Sequence, residues 1–456
     1  MQNAKAGKGI PVEERFDRSG RAQIGGSNDR PNPKKDGELS NTVAAVLTRF
    51  TRWLDSYGET SWDHQSFFAG PVGGKAKALY YRHGTIGTAA VAPIIVCEAF
   101  LPWTRRFFHH RIRFPIADAH YAMGFLFLHQ ASGKSSCLEK ASHFLDELKK
   151  SRAPGFEEYC WGYPFDWVTR GGVLKKDTPL ITTTPYVYEA FLQGFKATQR
   201  DEWKQVLASI ARHARFEIKD FETSPMASSC SYSPFGGGGV INAAAYRAFL
   251  LFSASQSFSN DDYRKTAERN LNFVLEAQNS DGSWYYAVDG VRDFVDHFHT
   301  CFVMKALGKI YAMTSDERCY NALAKGTEYY LKNLFDEEGL PKPFSKAPRL
   351  TVYKRELYDC AECINLGLVL RSWFPVLGKT VVRVITEVTG NWVKPDGSFR
   401  SRRLHVGWDN VPMHRWGQSQ MFRSLAYYIY AEEEAAQQKS GKSEVAHLVS
   451  GPPLAN

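Results

Sequence analysis

The stretch Gln278-Asn-Ser-Asp-Gly-Ser-Trp284 indicates how the chain folds, because turns of the same kind recur further along the sequence. The related turns are Asp336-Glu-Glu-Gly-Leu-Pro-Lys-Pro-Phe344 and Lys394-Pro-Asp-Gly-Ser-Phe399. Each turn places a glycine a few residues before an aromatic side chain and directly follows a segment with helical apolar spacing. Such a repeat predicts a chain built from similar helical units.

Helical periodicity extends over most of the sequence, and the alternation typical of strands is almost absent. The predicted helices are 40–57, 85–100, 115–130, 135–151, 181–198, 202–219, 240–256, 261–278, 296–313, 316–333, 356–374, 377–392 and 411–434. Short and long connections alternate between them, as expected when antiparallel helical hairpins are joined by long links. The first helices of successive hairpins begin near 181, 240, 296, 356 and 411, which gives spacings of 59, 56, 60 and 55 residues.

About six or seven hairpins of this size fit in the chain, a number that suits closure into a ring. We therefore predict an all-α fold, an (α/α)6 or (α/α)7 toroid, over residues 40–436. Residues 1–39 and 437–456 hold few apolar side chains among polar residues, glycine and proline, and we predict that both are disordered tails.

The composition narrows the class of protein. The 456 residues are 43% hydrophobic and 23% charged, which excludes a wholly disordered chain. The net charge of +9 favours an anionic partner, but the dense basic runs of nucleic-acid-binding proteins are missing, so we expect no nucleic acid. Eight cysteines and no secretory signal pattern predict a reduced, cytoplasmic protein.

One apolar stretch, residues 84–103, is long enough to resemble a membrane span. Pro93 interrupts it and several glycine and threonine residues dilute it. We therefore predict a buried helix rather than a transmembrane segment, and peripheral attachment to a membrane remains an alternative.

Several segments resemble known helical toroids. Arg269–Gln278, continued to Trp284, resembles the glutamine–tryptophan repeat of terpene cyclases and prenyltransferases. The arrangement of hairpins is similar to the α/α toroids of glycoside hydrolases, polysaccharide lyases and sugar epimerases. Cys160–Trp167, Asp296–Thr300 and His414–Trp416 resemble an α/α-toroid group found with bacterial exopolysaccharide biosynthesis. The resemblance covers roughly residues 80–430 and implies a carbohydrate-related function.

In a ring of hairpins, the first helices should begin at one rim, around the mouth of a central cavity. Free backbone N–H groups at helix N-termini suit carboxylates or phosphates. The polar residues near these starts are Thr182, Thr183, Thr184, Asn242, Asp296, His297, His299, Tyr358, Asp359, Glu362, His414, Arg415 and Gln418. The threonines and Asp296 also suit helix capping, whereas the histidines and Arg415 are more specific candidates for function.

The loop from Trp161 to Arg170 is a second signal. Tyr163-Pro-Phe-Asp-Trp167 places Asp166 between aromatic rings, which can stack on sugar rings while polar groups bind hydroxyls. Such surroundings can raise the pKa of a carboxyl group and make it an acid. The alternative is that the rings plug the toroid and Asp166 bonds to backbone.

We predict a carbohydrate-active enzyme that acts on an anionic, uronate-containing saccharide or polysaccharide precursor. Hydrolysis would use two carboxylates, Asp166 with Asp359 or Glu362. β-Elimination or epimerisation would use a base and a charge-stabilising group, drawn from His299, Tyr358, His405, Arg415 and Asn242. The predicted substrate-binding residues are Trp161, Tyr163, Trp167, Arg170, Asn242, His297, Glu362, His414 and Trp416.

Other functions remain as alternatives. The chain could be a non-catalytic toroid that binds a glycan or a partner in exopolysaccharide assembly. A terpenoid cyclase is a further alternative, although the Asp-x-Asp-Asp acid motif of the squalene–hopene type is missing. No cofactor is predicted, and no metal, since Cys360 and Cys363 form a single C-x-x-C pair without a second pair.

Overall fold

The structure is a computed structural model that describes residues 33–348 and 350–439. Its α-helices are α1 Pro33–Tyr57, α2 Ser66–Ala69, α3 Pro71–Arg82, α4 Gly84–Phe100, α5 Pro115–Ser132, α6 Ser135–Lys150, α7 Thr184–Thr198, α8 Asp201–Arg212, α9 Ile241–Phe258, α10 Asp261–Glu276, α11 His297–Thr314, α12 Glu317–Asn333, α13 Leu357–Leu370, α14 Val376–Glu387 and α15 Ser419–Lys439. All the predicted helices are present. α1 begins at Pro33 rather than at 40, and most of the two predicted tails lies outside the described residues.

Six helices form an inner ring in which each helix packs on the next. These are α5, α7, α9, α11, α13 and α15, and the ring closes because α15 packs on α5. Five outer helices, α6, α8, α10, α12 and α14, follow the first five inner helices in the sequence. The sixth outer position belongs to α1, whose Phe50 stacks on Phe422 of α15. The fold is an (α/α)6 toroid.

The repeated turns have the same internal bonding. In the first, Asp281 accepts hydrogen bonds from the backbone N–H and the hydroxyl of Ser283, at 3.0 and 2.7 Å. In the last, Asp396 accepts the same two bonds from Ser398, at 2.9 and 2.7 Å. The indole of Trp284 then donates to the Val274 carbonyl at 3.0 Å, which fixes the turn to the helix it follows.

Two glycines show how these turns connect neighbouring hairpins. Gly282 and Gly397 have φ of +90° and +94°, a region that other residues rarely adopt. A Cβ at Gly282 would lie 2.4 Å from the Lys325 carbonyl on α12, and one at Gly397 would lie 2.7 Å from the Arg49 carbonyl on α1. The last turn therefore contacts α1 as the earlier turn contacts α12, so α1 completes the ring.

The long links carry short antiparallel strands. These are β1 Trp167–Thr169, β2 Gly172–Leu174, β3 Asp220–Ser224, β4 Ala227–Cys230, β5 Val295–Asp296, β6 Phe344–Lys346, β7 Tyr353–Glu356, β8 Arg402–Leu404 and β9 Trp408–Asp409. They pair as β1–β2, β3–β4, β5–β6 and the three-stranded β7–β8–β9. Glu356 pairs with Arg402 in this last sheet, which places a carboxylate beside a guanidinium group.

The segment between α1 and α5 is not part of the repeat. It forms a hairpin of α3 and α4 that packs on itself and ends in a 3-10 turn at Pro102–Phe107. The prediction that 85–100 is a buried helix is wrong, because most of its residues are exposed and Gly87, Val91 and Ile94 alone are buried in α4. Among the described residues, no helix is both long and apolar enough to cross a membrane.

Candidate active site

Seven partly exposed rings meet at the end of the toroid where the inner helices begin. We call this surface the mouth, and its members are Tyr163, Trp167, Tyr232, Tyr286, His299, Phe298 and Trp416. Ring centroids along this order are 5.3 Å apart for Tyr163–Trp167, 6.2 Å for Trp167–Tyr232, 4.7 Å for Tyr286–His299, 4.3 Å for His299–Phe298 and 6.3 Å for Phe298–Trp416. Burial raises the pKa of Tyr232, and the neighbouring Tyr286 raises it further.

Arg415 lies between the first and the last ring of this series and contacts both. Its guanidinium lies 4.5 Å from the ring centroids of both Tyr163 and Trp416. It is buried, and it makes two hydrogen bonds to Asp63, from Nε at 2.9 Å and from Nη2 at 2.6 Å. Burial alone would raise the pKa of Asp63, but Arg415, together with His64 and the Gln65 backbone N–H, holds that pKa well below its usual range. The pair is therefore fully charged at neutral pH.

His299 is positioned by the residue that begins its helix. Asp296 caps α11 by accepting a hydrogen bond from the His299 backbone N–H at 2.8 Å, and its second oxygen lies 2.6 Å from Nδ1 of the same residue. When Nδ1 donates to the carboxylate, Nε2 carries the lone pair. The side chain is 20% exposed, and within the described residues Nε2 makes no hydrogen bond. His299 thus has the arrangement of a general base.

Asp359 lies buried behind the mouth, and neither of its oxygens has a hydrogen-bond partner in the described part of the chain. Burial raises the pKa of Asp359 well above its usual value, and the neighbouring carboxylates of Glu356 and Asp296 raise it further. Glu356 is itself paired with Arg402 at 2.8 Å. Burial without a hydrogen-bond partner therefore favours the protonated form of Asp359.

We expect Asp359→Asn to be at least as stable as the wild type at pH 7, and less sensitive to pH. A carboxyl group whose pKa is raised in the folded state makes the protein less stable as the pH rises above about 4, which is its pKa in the unfolded chain. Above that pH the group ionises freely in the unfolded chain but not in the folded one. Urea unfolding between pH 4 and pH 8 measures this. A variant that loses about 2 kcal/mol at pH 7 would instead show that the carboxylate is ionised and accepts hydrogen bonds.

Two hydrogen-bond donors beside the mouth lack partners. The Tyr358 hydroxyl and the Trp416 indole N–H are both shielded from solvent, and neither has an acceptor among the described residues. Their rings lie 4.8 Å apart. Deeper in the ring, Glu362 is paired with Lys305, and one of its oxygens is unpartnered. Unpaired buried donors of this kind are suited to a polar ligand.

A cavity of about 950 Å³ lies on the outer side of the β7–β8–β9 sheet. We call it the basic groove and define it by six of its lining residues, which are Lys342, Tyr353, Arg400, Arg403, His405 and Trp408. Three acidic residues also line it: Asp336 and Glu338 pair with Arg355, and Glu387 accepts hydrogen bonds from Asn391 and Trp392. Arg400 and Arg403 both lie against the Trp408 ring, at 5.0 and 4.7 Å. The Arg403 guanidinium has no hydrogen bond or ion pair within the described residues, and Arg400 Nε is buried without an acceptor.

Behind the basic groove lies a buried ion-pair cluster centred on Arg402. The ring of Tyr353, which lines the groove, packs on Arg402 at 4.5 Å. Arg402 bonds Glu356 on one side and Glu98 of α4 on the other. His405, which we predicted as a catalytic residue, therefore lies at the groove and not at the mouth, where its Nε2 is 3.0 Å from the Thr351 carbonyl.

Four other predicted residues, Asp166, Trp161, Arg170 and Asn242, have different surroundings. The sequence predicts a raised pKa for Asp166, whereas hydrogen bonds from the Lys176 backbone N–H and from Lys175 lower it. Trp161 is buried, and its indole N–H donates a hydrogen bond to the Leu148 carbonyl, so its ring is a packing element of the toroid. Arg170 is exposed on the β1–β2 turn. Asn242 is buried, and its side-chain oxygen has no partner among the described residues.

Two of the predicted histidines are structural. His297 is buried between the Leu334 carbonyl at 3.2 Å and the Tyr330 hydroxyl at 2.8 Å. His414 is buried between the Tyr121 hydroxyl at 2.5 Å and the Gly58 carbonyl at 3.0 Å. Burial lowers the pKa of each to about 3, so both are neutral. Neither side chain reaches the mouth.

The sequence analysis missed Asp63 and His64. Both lie in the loop after α1, outside the repeat of 55 to 60 residues, so spacing gave no signal for them. His64 is partly exposed, and its ring lies 6.2 Å from that of Trp416. Burial of the ring lowers the pKa of His64 well below its usual value, so it is a neutral histidine.

Among the described residues, one group could hold a metal ion. Potential ligand atoms of Cys160, His213 and Glu217 lie within 4.8 Å of one another. His213 and Glu217 are already joined by a 2.5 Å hydrogen bond, and burial raises the pKa of Cys160 to about 12. These contacts fit a hydrogen-bonded pair beside a neutral thiol. Cys360 and Cys363 are buried core residues of α13.

No family model matches the sequence, and no curated protein does. Solved structures do match the fold. A possible GH105 family member from Salmonella enterica serovar Paratyphi A has 10% sequence identity and a TM-score of 0.58, with 87% of this chain and 95% of that chain covered. Cellobiose 2-epimerase from Bacillus thermoamylovorans has 12% identity and a TM-score of 0.54, over 71% and 88%.

A third structure, the GH76 α-mannanase from Bacteroides thetaiotaomicron, has 11% identity and a TM-score of 0.50, with 72% of this chain and 87% of that chain covered. All three are six-hairpin α/α toroids. The similarity establishes the fold, and the named proteins act on sugars by more than one chemistry.

Proposed function

We propose that this toroid is a carbohydrate-active enzyme that moves a proton at a sugar carbon, with His299 as the base. The observation that carries the proposal is the Asp296–His299 pair, whose free Nε2 lies in a mouth lined by aromatic rings. Aromatic rings pack on the C–H faces of sugars, and the unpartnered donors of Tyr358 and Trp416 suit sugar oxygens.

In this scheme, Nε2 of His299 accepts a proton from a carbon next to a carbonyl or carboxylate group of the sugar. The electron pair of the broken C–H bond moves onto that group, and Asp296 stabilises the imidazolium that forms. Delivery of a proton from water to the opposite face of the same carbon completes an epimerisation, and His299 then releases the proton it took to the hydroxide that is left. Loss of a β-substituent from the same intermediate completes an elimination.

Hydrolysis is less well supported, because it needs two carboxyl groups on either side of the scissile bond. Near the mouth, Asp63 is bound to Arg415, Asp296 to His299 and Glu356 to Arg402. Asp359 alone of these carboxyl groups is unpartnered, and it is buried. The described residues therefore offer one carboxylic acid but no second free carboxylate facing it.

We propose that the basic groove binds the anionic groups of the substrate. At the mouth, Arg415 and Arg402 are neutralised by carboxylates, so they leave no charge for an anion. In the groove, Arg403 has no ionic partner within the described residues, and Arg400 donates to a neutral amide oxygen of Asn410. A uronate chain could place its reacting sugar in the mouth and a neighbouring carboxylate on these arginines.

The test is incubation of the purified protein in D2O with a library of uronate oligosaccharides and neutral oligosaccharides, followed by mass spectrometry. Proton transfer predicts one deuterium per turnover in an epimerised product, or a 4,5-unsaturated product that is lighter by the leaving group. A product that has gained water without deuterium at carbon would indicate hydrolysis and contradict the proposal. Binding without any product would indicate a glycan-binding toroid.

The Arg400→Ala/Arg403→Ala variant tests the groove separately. We expect it to raise KM for a uronate oligosaccharide by about tenfold or more, since a charge-assisted hydrogen bond contributes about 1.5–3 kcal/mol, and to leave kcat nearly unchanged. The matched control is Arg264→Ala, which removes an exposed arginine from α10. Equal KM values in the variant and the control would mean that the groove does not bind the substrate.

A terpenoid cyclase is not favoured. Its cavity would have to be apolar throughout, whereas the interior of this ring contains the Lys305–Glu362 pair and the mouth contains Arg415–Asp63. Buried ion pairs of this kind disfavour a hydrocarbon ligand.

A further inference from the structure

Exposed apolar side chains are concentrated in one part of the molecule. Of the 21 large apolar side chains that are exposed in the described residues, nine lie between Val72 and Phe107. We call the exposed part of this segment the hairpin surface and define it by Ile86, Val96, Phe100, Leu101, Trp103 and Phe107. Phe107 is 70% exposed and Trp103 is 48% exposed. A patch of this kind on a folded protein marks an interaction site.

α4 has the composition of a buried helix but is largely exposed. Its sequence is apolar on all faces, and its one charged residue, Glu98, is turned toward Arg402 beside the mouth. Helices that are apolar all round are found inside proteins or in contact with lipid. Since the rest of the described chain leaves α4 uncovered, its other faces need a partner.

The charged residues around the hairpin surface indicate what kind of partner it binds. Glu98 is the single acidic residue between Gly70 and Arg113. Every charged side chain in that range that is well exposed is basic, namely Lys75, Arg82 and Arg106. The Arg106 guanidinium lies 4.9 Å from the rings of both Trp103 and Phe107, so cation and aromatic groups share one edge of the surface.

We propose that the hairpin surface binds an anionic lipid bilayer. Aromatic and aliphatic side chains would enter the boundary between headgroups and acyl chains, and the basic side chains would contact lipid phosphates. α4 has 17 residues, or about 25 Å of helix, which is shorter than the roughly 30 Å of a hydrocarbon core, so the helix lies on the membrane. Two copies of this basic surface would repel each other, which disfavours a dimer through the same face.

The proposal does not depend on the reaction at the mouth, so the experiment measures binding alone. Full-length protein is floated through a density gradient with vesicles of phosphatidylcholine, or of phosphatidylcholine and phosphatidylglycerol in equal parts. We expect binding to the anionic vesicles, weakened by added salt, and little binding to the neutral ones.

The variant Ile86→Ser/Val96→Ser/Phe107→Ser changes exposed residues and should fold normally. We expect it to bind anionic vesicles about tenfold or more weakly than the wild type, since each side chain contributes apolar area. The control is Phe235→Ser, which removes an apolar side chain that is exposed outside the hairpin surface. Equal loss in the control, no binding of the wild type, or a solution dimer that the triple variant abolishes would overturn the proposal.

Discussion

His299→Ala is expected to lower turnover by roughly 10²–10⁴-fold, the usual contribution of a general base, while the protein stays folded. The side chain is partly exposed, and its bonds run to the cap residue of its own helix. Removing it therefore leaves no cavity in the core, and the contacts it loses are ring contacts with Tyr286, Phe294 and Phe302. The measurement is the rate of product formation, or of deuterium incorporation, on the oligosaccharide identified in the library.

The matched control is His143→Ala, which removes a half-exposed histidine from the outer helix α6. We expect this variant to keep wild-type turnover. If both variants keep it, the Asp296–His299 pair is a helix cap and the base lies elsewhere. If His299→Ala loses activity only in proportion to a lost folded fraction, measured by circular dichroism, its role is structural.

Arg415→Ala is expected to destabilise the protein by about 3–5 kcal/mol, the cost of leaving one partner of a buried ion pair uncompensated. Sequence alone suggests a catalytic arginine, but both partners are only 1% exposed, and the pair connects the loop after α1 to the start of α15. Urea unfolding at pH 7 measures the loss. Arg264→Ala, with exposed partners, should cost at most about 1 kcal/mol.

The pH dependence of unfolding shows whether the lost ion pair causes the destabilisation of Arg415→Ala. In the wild type, the lowered pKa of Asp63 contributes stability above the unfolded value of about 4, and this is lost as pH falls. Without Arg415, burial raises the same pKa, so the variant recovers stability as pH falls and Asp63 takes up a proton. We therefore expect the difference between the two proteins to narrow from pH 7 to pH 4. A constant difference would attribute the loss to packing of the arginine instead.

The sequence predicted the ring but not its exact size. The recurring turns and alternating links specify helical hairpins, and the structure has them where predicted. The choice between six and seven hairpins depends on α1, which packs on α15 at the far end of the sequence. Its helical pattern does not say which helix it will contact. The α3–α4 hairpin escaped prediction because an apolar helix has the same composition in a core and on an exposed surface.

Within the site, the sequence predicted which segments contribute but not which of their side chains reach the mouth. His297 and His299 are two positions apart, and successive residues on a helix differ by about 100°, so the two side chains point to different faces. One is buried against α12 and the other reaches the mouth. Asp63 and His64 were missed because they join the mouth through contacts with Arg415 and Trp416, which are more than 350 residues away.

Closure of the ring by α1 also affects how the chain can fold while it is being made. Phe50 is synthesised early, whereas its partners Phe399 and Phe422 follow some 350 to 370 residues later. At roughly 5–20 residues per second, translation leaves α1 without these partners for about 20–70 s. Its apolar stripe is exposed beside the ribosome for that time. The native ring can then close only after α15, the last helix of the ring, has been synthesised and can pack on α5 and α1.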